Sequence, residues 1–168
     1  MKTAFLFPGQ GSQKVGMVQD LFENYDSVKA LIKEADETLG FPISKMMFEG
    51  PDTELMKTEF TQPAILTASV AVWQVLKEHG LTPDIAAGHS LGELSALCAV
   101  GCVSFADALR LVYARAMAMQ KACEACPGTM AAIIGLEDEK IEAICAEVTA
   151  ETGKVVVGAN YNCPGQLV

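Results

Sequence analysis

The stretch Ile85-Ala86-Ala87-Gly88-His89-Ser90-Leu91-Gly92-Glu93 decides how this chain is read. Ile85 to His89 is short and largely apolar, bounded upstream by the turn-forming Thr82-Pro83-Asp84, and reads as a short buried strand. From Leu91 to about Val100 the pattern is helical, and Gly101 punctuates its end. Between strand and helix stands Gly88-x-Ser90-x-Gly92, a G-x-S-x-G pattern that sets a serine on a sharp, strained turn. Residues two before and two after such a serine must be small, because the turn brings backbone against backbone. The helix that follows points its free N–H groups and positive dipole end at the serine. The Leu91 N–H is therefore one natural donor to a developing oxyanion. Five residues alone also fit a chance Gly/Ser turn. The strand before and the helix after are what give the pattern its weight.

Working outward, residues 2–7 form an apolar run that stops at Pro8-Gly9, a second short buried strand entering a loop. That loop, Pro8-Gly9-Gln10-Gly11-Ser12-Gln13, is rich in glycine and amides, so Gly9-Gln10-Gly11 is the candidate for a second oxyanion donor. It lacks the lysine of G-x-x-x-x-G-K-[ST] and the spacing of G-x-G-x-x-G, which sets a phosphate loop aside. Helical patterns follow from about Met17 and from Ser27 to Leu39, the latter with Asp26 or Ser27 as cap and Gly40 as stop. Residues 41–60 read as short helical pieces broken by Pro42 and Gly50-Pro51. Pro63 is expected to open a helix carrying Ile65, Leu66, Ser69, Val72, Trp73 and Leu76 at helical spacing, ended by Gly80. Ser104 with Asp107 makes a capping-box-like start to a helix running to about Ala122.

On that last helix, positions 108, 112, 115 and 119 share one face, occupied by Ala, Val, Arg and Met. An arginine on an apolar stripe needs a partner, because an unpaired buried charge is costly. It is either a side chain snorkelling at the stripe's edge or a bidentate receptor for a carboxylate brought by a ligand. Beyond Pro127-Gly128 the texture changes. Thr129–Leu136 reads as a strand, Glu137–Thr149 as an acidic amphipathic helix and Lys154–Asn162 as a strand. A further strand is expected at Gln166. Two regions are therefore expected, 1–126 and 127–168.

The bulk composition narrows the class. A chain of 168 residues, half of them apolar, has a core to bury and needs no disulfide or metal staple. A net charge of −9 with scattered basic residues excludes a nucleic-acid partner. Apolar runs are interrupted well before about 18 residues, so no membrane span is expected. The N-terminal apolar run is too short for a signal core, which points to the cytoplasm. Cys98 and Cys102, the C-x-x-C of Cys123 and Cys126, and the single Cys145 and Cys163 do not make two ligand pairs, and His79 and His89 do not complete them. No metal site is expected, and the thiols are read as free.

Five motifs occur in register: Phe7-Pro8-Gly9-Gln10-Gly11-Ser12-Gln13, Thr61-Gln62-Pro63-Ala64, Gly88-His89-Ser90-Leu91-Gly92-Glu93, Arg115, and Asn160-Tyr161-Asn162-Cys163-Pro164-Gly165-Gln166. Together they resemble the malonyl-CoA:acyl carrier protein transacylase family, over essentially the whole chain. The resemblance implies an α/β fold: an α/β-hydrolase-like core with a short parallel sheet and nucleophile elbow, plus an incomplete ferredoxin-like small subdomain. It implies an enzyme moving a malonyl group from coenzyme A to acyl carrier protein in fatty acid synthesis, with the thioester as substrate and no cofactor. Ser90 would be the acylated nucleophile. Gln10 and Leu91 would supply oxyanion N–H groups, Arg115 would pair with the malonate carboxylate, and Gln62 and Asn160 would line the site. Leu91 at the motif's variable position suits malonyl better than methylmalonyl. His89 stands beside the serine in the signature and is a poor candidate for the base.

One departure is large. The family's catalytic histidine lies in the second half of a longer chain, and this sequence has only His79 and His89. The 168 residues are expected to be the front portion of the enzyme, with little turnover alone and a C-terminal portion as a further partner. Two other readings share some of these features: an α/β-hydrolase-type esterase, and a non-catalytic fragment that binds acyl-CoA.

Overall fold

Two four-residue strands carry the turn at Ser90. In a computed structural model that describes residues 2–168, β1 (Ala4–Phe7) lies parallel to β2 (Ile85–Gly88), with Ala4 opposite Ile85 and Phe7 opposite Gly88. Their shared ladder runs on past the strands, since the His89 N–H donates to the Phe7 carbonyl at 3.0 Å. Both strands were expected to be buried, and neither is: Leu6 is 78% exposed and Ile85 60%. The sequence supplies apolar residues for two covered faces, but only one face of this pair is packed.

Between the strands the chain is helical, with α1 (Gln19–Asn24), α2 (Asp26–Leu39), α3 (Ile43–Glu49), α4 (Asp52–Leu55) and α5 (Thr58–Glu78). After β2 come α6 (Leu91–Ala99) and α7 (Phe105–Ala125). Val28, Leu31, Ile32 and Ala35 recur at i, i+3, i+4 and i+7 and form the buried stripe of α2. They meet Ile43, Met47, Leu55, Leu66, Val70, Leu109 and Val112 in one cluster. Each such aliphatic side chain taken fully from water contributes about 1.5–3 kcal/mol, so this cluster carries most of the unit's stability. The α2 cap differs from expectation. Tyr25, extended and without a side-chain cap, occupies the N-cap, while Asp26 enters the first turn and pairs with Lys29 at 2.8 Å.

Helix α5 does not open at Pro63. It begins at Thr58, with Pro63 inside it. The proline removes one backbone bond near the start of the helix, where the chain is anchored in other ways. The Phe60 and Thr61 N–H groups both reach the Lys57 carbonyl, Thr61 Oγ1 donates to the Leu55 carbonyl, and Thr67 Oγ1 donates to that of Pro63. The buried side of α5 runs through Gln62, Leu66, Val70 and Ala71; of the expected line Ile65 and Leu66 are buried, whereas Ser69, Trp73 and Leu76 are only half-buried and Val72 is exposed. At the other end of the unit Ser104 and Asp107 behave as expected: the Asp107 N–H donates to Ser104 Oγ at 3.2 Å, and Ser104 Oγ donates back to the carboxylate at 2.7 Å.

The chain divides into two compact units, Met1–Ala125 and Cys126–Val168. The second holds β3 (Ile133–Ile134), α8 (Asp138–Thr152), β4 (Tyr161–Cys163) and β5 (Gln166–Leu167), with β5 central and antiparallel to both neighbours. The expected strand over Lys154–Asn162 shrinks to its last residues and continues to Cys163. The Pro164-Gly165 turn folds β5 back on β4 as a hairpin, which leaves Val155 and Val157 83% and 65% exposed. The expected strand over Thr129–Leu136 is likewise reduced to Ile133–Ile134, all that β5 can pair. Among the described residues no helix is long and apolar enough to cross a membrane, and no cluster of three or more His, Cys, Asp or Glu has metal-holding geometry. The six cysteines are free. The architecture is a mixed α/β fold with a short parallel sheet.

Candidate active site

Ser90 is the N-cap of α6, with φ 54° and ψ −107°, a conformation that costs a non-glycine residue about 1–3 kcal/mol. Two glycines make it possible. A Cβ on Gly88 would sit 1.9 Å from the Gly92 carbonyl carbon, and one on Gly92 would sit 2.1 Å from the Phe7 carbonyl oxygen. No side chain fits at either place, so strand, turn and helix are locked backbone to backbone. The turn is closed by the Gly92 N–H to the His89 carbonyl at 2.9 Å and the Glu93 N–H to the Ser90 carbonyl at 3.2 Å. The Leu91 side chain is fully buried beneath the elbow, which fixes its N–H at the first helical position next to the exposed serine.

The Gln10 loop lies against the same turn. A Cβ on Gly9 would come within 2.7 Å of the His89 carbonyl oxygen, so the loop backbone packs directly on the elbow. The loop holds its own shape: Ser12 Oγ donates to the Gly9 carbonyl and the Gly11 N–H donates to Gln13 Oε1, each at 2.8 Å. The Gln10 side chain reaches α5, where Nε2 meets Thr58 Oγ1 at 3.5 Å.

Arg115 stands at the border of the buried stripe of α7, beside Ala108, Leu109, Val112 and Ala116, and is half-buried. Its Nη2 donates to Ser90 Oγ at 2.8 Å, and its Nη1 donates to Gln62 Oε1 at 2.6 Å. Among the described residues it makes no ion pair: the recorded ones join lysines 29, 33 and 57 and Arg110 to acidic side chains. The Arg115 cation thus faces the Ser90 hydroxyl with two neutral partners and, among the described residues, no anion. Gln62, wholly buried, connects the parts. Its oxygen accepts from Arg115, while its Nε2 donates to Gln10 Oε1 and to Met119 Sδ, both at 3.2 Å.

The structure therefore brings Ser90, Leu91, Gln10, Gln62 and Arg115 together. Asn160 belongs to the second unit, where its N–H and carbonyl bridge to Val168 beside β4. Thr58 and Met119 were not singled out as site residues. Met119 lies one turn beyond Arg115 on the same face, a signal that could have found it; Thr58 carries none. His79 caps the far end of α5, about 25 Å along the helix from Gln62, and pairs with the Tyr25 hydroxyl at 3.1 Å. It does not serve Ser90.

An acyl transferase domain accounts for residues 4–168. The chain belongs to the acyl transferase domain family. Among curated members, it is 51% identical over 167 residues to the malonyl CoA-acyl carrier protein transacylase of Bacillus subtilis, covering 99% of this chain and 52% of that protein. It is 50% identical to the protein of the same name from Escherichia coli O157:H7, covering 98% and 53%. Among solved members of the family, the malonyl CoA-acyl carrier protein transacylase of Coxiella burnetii superposes with a TM-score of 0.91 at 40% identity, over 99% of this chain and 52% of that one. A malonyl-transacylase solved in complex with its type II PKS acyl-carrier protein matches with a TM-score of 0.88 at 44% identity, over 99% and 54%. The chain spans about half the length of the curated relatives it matches.

Proposed function

We propose that this chain is the nucleophile-bearing half of a malonyl-CoA:acyl carrier protein transacylase. The observation that carries the reading is the Arg115 guanidinium, 2.8 Å from Ser90 Oγ and without an anionic partner among the described residues. A malonyl group esterified to Ser90 carries its free carboxylate one methylene from the ester carbonyl, within reach of that fork. An esterase has no use for a cation there.

In the proposed reaction Ser90 Oγ attacks the thioester carbonyl of malonyl-CoA and gives up its proton to a general base. The base is the histidine expected in the second half of the enzyme. The tetrahedral oxyanion accepts from the N–H groups of Leu91 and Gln10, and collapse expels the coenzyme A thiolate. The phosphopantetheine thiol of acyl carrier protein then attacks the malonyl-serine ester, and Ser90 regains its proton. Ping-pong kinetics follow from the covalent intermediate. Gln62 is proposed to position Arg115, and Asn160 is retained as a site residue on the strength of its motif. In the same reading the fold is α/β-hydrolase-like, with regions 1–126 and 127–168, the latter the start of a ferredoxin-like subdomain. The setting is the cytoplasm.

The test joins residues 1–168 to the second half of the Bacillus subtilis relative in one continuous chain. Given malonyl-CoA, that chain should carry a malonyl ester on Ser90 by peptide mass spectrometry and pass it to acyl carrier protein. Labelling that survives Ser90→Ala would sink the assignment.

A further inference from the structure

Gln62 is withdrawn from water completely, so its amide must be satisfied by protein neighbours. The two hydrogens of Nε2 go to two acceptors, Gln10 Oε1 and Met119 Sδ, each at 3.2 Å. The oxygen Oε1 accepts from Arg115 Nη1 at 2.6 Å. Turned end for end, the amide would set Nε2 against the guanidinium, donor facing donor. It would also set Oε1 against the thioether, acceptor facing acceptor. The orientation is therefore decided by neighbours that can play only one part.

Gln10 is not such a neighbour. Its own amide can turn over and would then offer Nε2 to Gln62 in place of Oε1. Thr58, next in line and met by Gln10 Nε2 at 3.5 Å, has a hydroxyl that donates or accepts. The two groups fixed in kind are the guanidinium, which donates, and the thioether, which accepts. The guanidinium is shared. Its Nη2 already reaches Ser90 Oγ at 2.8 Å, and in the proposed reaction the same fork turns to the carboxylate of a malonyl group. Its hold on Gln62 then faces competition, whereas the part played by Met119 Sδ does not change. Helix geometry gives Met119 this reach: it follows Arg115 by four residues on one face of α7, and helical side chains lean toward the N-terminus. At 38% exposed, Met119 is not there as core filling.

We infer that Met119 is a positioning residue for substrate recognition. Its sulfur fixes which way the Gln62 amide faces, and through that amide the aim of Arg115 at a carboxylate. The donors then run in one direction, from Arg115 to Gln62, to Gln10, to Thr58. The substrate in this inference rests on the malonyl reading, while the network itself rests on the hydrogen bonds alone.

Two substitutions separate aiming from packing. Met119→Leu keeps an apolar side chain of similar size and removes the acceptor. Met119→Gln restores an acceptor at similar reach and gives up the apolar character. Both residues favour helix at this partly exposed position, so the circular dichroism of the chain should not change. In this chain alone, NMR identifies the Gln62 side-chain amide protons by their loss in Gln62→Leu. Their solvent exchange should quicken about tenfold in Met119→Leu and stay near the unsubstituted rate in Met119→Gln. In the continuous chain joined to the second half of the Bacillus subtilis relative, Met119→Leu should raise KM for malonyl-CoA about fivefold. There kcat should stay within about twofold and KM for acetyl-CoA should not move, and Met119→Gln should recover most of the loss. A packing role predicts the reverse order, with Leu tolerated better than Gln, and that order overturns the inference. So does amide exchange indifferent to the loss of the sulfur, an equal rise in KM for both thioesters, or a fall in kcat with KM unchanged. If the unsubstituted continuous chain forms no malonyl ester on Ser90, the malonyl reading fails, and the exchange rates still decide whether Met119 holds the Gln62 amide.

Discussion

The helical cluster around α5 and the two-stranded sheet belong to one unit and are finished to different degrees. In the cluster, Val28, Ile43, Met47, Leu66, Leu109 and Val112 are withdrawn from water completely. In the sheet, Leu6 and Ile85, equally apolar, stand in solvent. The candidate site straddles the two. Arg115 and Gln62 are held by the finished side, whereas Ser90 and the Gln10 loop hang from the unfinished one. Arg115 is therefore backed by complete packing, whereas the position of Ser90 depends on a sheet open on one face.

The largest effect that would break this contrast is on stability. Leu66→Ala should cost about 2–5 kcal/mol in denaturant unfolding, because the cluster cannot close over the cavity. Leu6→Ala should change the chain alone by no more than about 0.5 kcal/mol. Similar costs at the two positions would mean that the sheet face is covered in solution. Next is substrate choice in the continuous chain. Arg115→Ala should lower malonyl transfer about a hundredfold, the equivalent of a charge-assisted pair worth about 3 kcal/mol, while uncharged acyl groups are transferred as well or better. An equal loss for both would make the arginine a packing residue.

Gln62→Leu should have a smaller effect, about a tenfold rise in KM for malonyl-CoA with less change in kcat, since Arg115 loses the neutral oxygen that aims it. A fall in kcat alone would place the role of Gln62 at the oxyanion loop, through Gln10. The smallest effect lies at the α7 start. The Ser104 hydroxyl, and then Arg110, hold the Asp107 carboxyl below its ordinary range. Its contribution is present above the unfolded carboxylate value of about 3.9 and fades as pH falls through the lower folded value. An NMR titration should find its midpoint below that of exposed aspartates, and Ser104→Ala should raise it.

Legibility in the sequence followed how local the cause was. The elbow was readable because Gly88 and Gly92 are demanded by backbone contacts within five residues and one neighbouring strand. The Ser104–Asp107 cap was readable for the same reason. Pro63 misled because the start of α5 is set by tertiary anchoring of Thr61 and Gln62, which outweighs one missing N–H. Val155 to Val157 looked like a strand, but the partner that decides pairing is β5, and the Pro164-Gly165 turn aligns β5 with Tyr161 and Cys163 instead. Within the site, Arg115 was betrayed by standing out on an apolar stripe. The Gln62 amide, joining residues 52 and 53 positions away, left no trace in spacing.

The closure of Gly92 on Phe7 has a consequence in time as well as in space. Thr3 and Asp84, which tie the near end of the same strand pair, are 81 residues apart, whereas most of the cluster of α2 to α5 is built from neighbouring helices. Contacts so distant in sequence are slow to form, because the loop between them must first be ordered. Closing the strained turn at Ser90 is therefore expected to lag behind the packing of the helices between the strands. In that order Ser90 takes its strained conformation late, and a chain halted midway through folding would carry the serine without the turn that holds it.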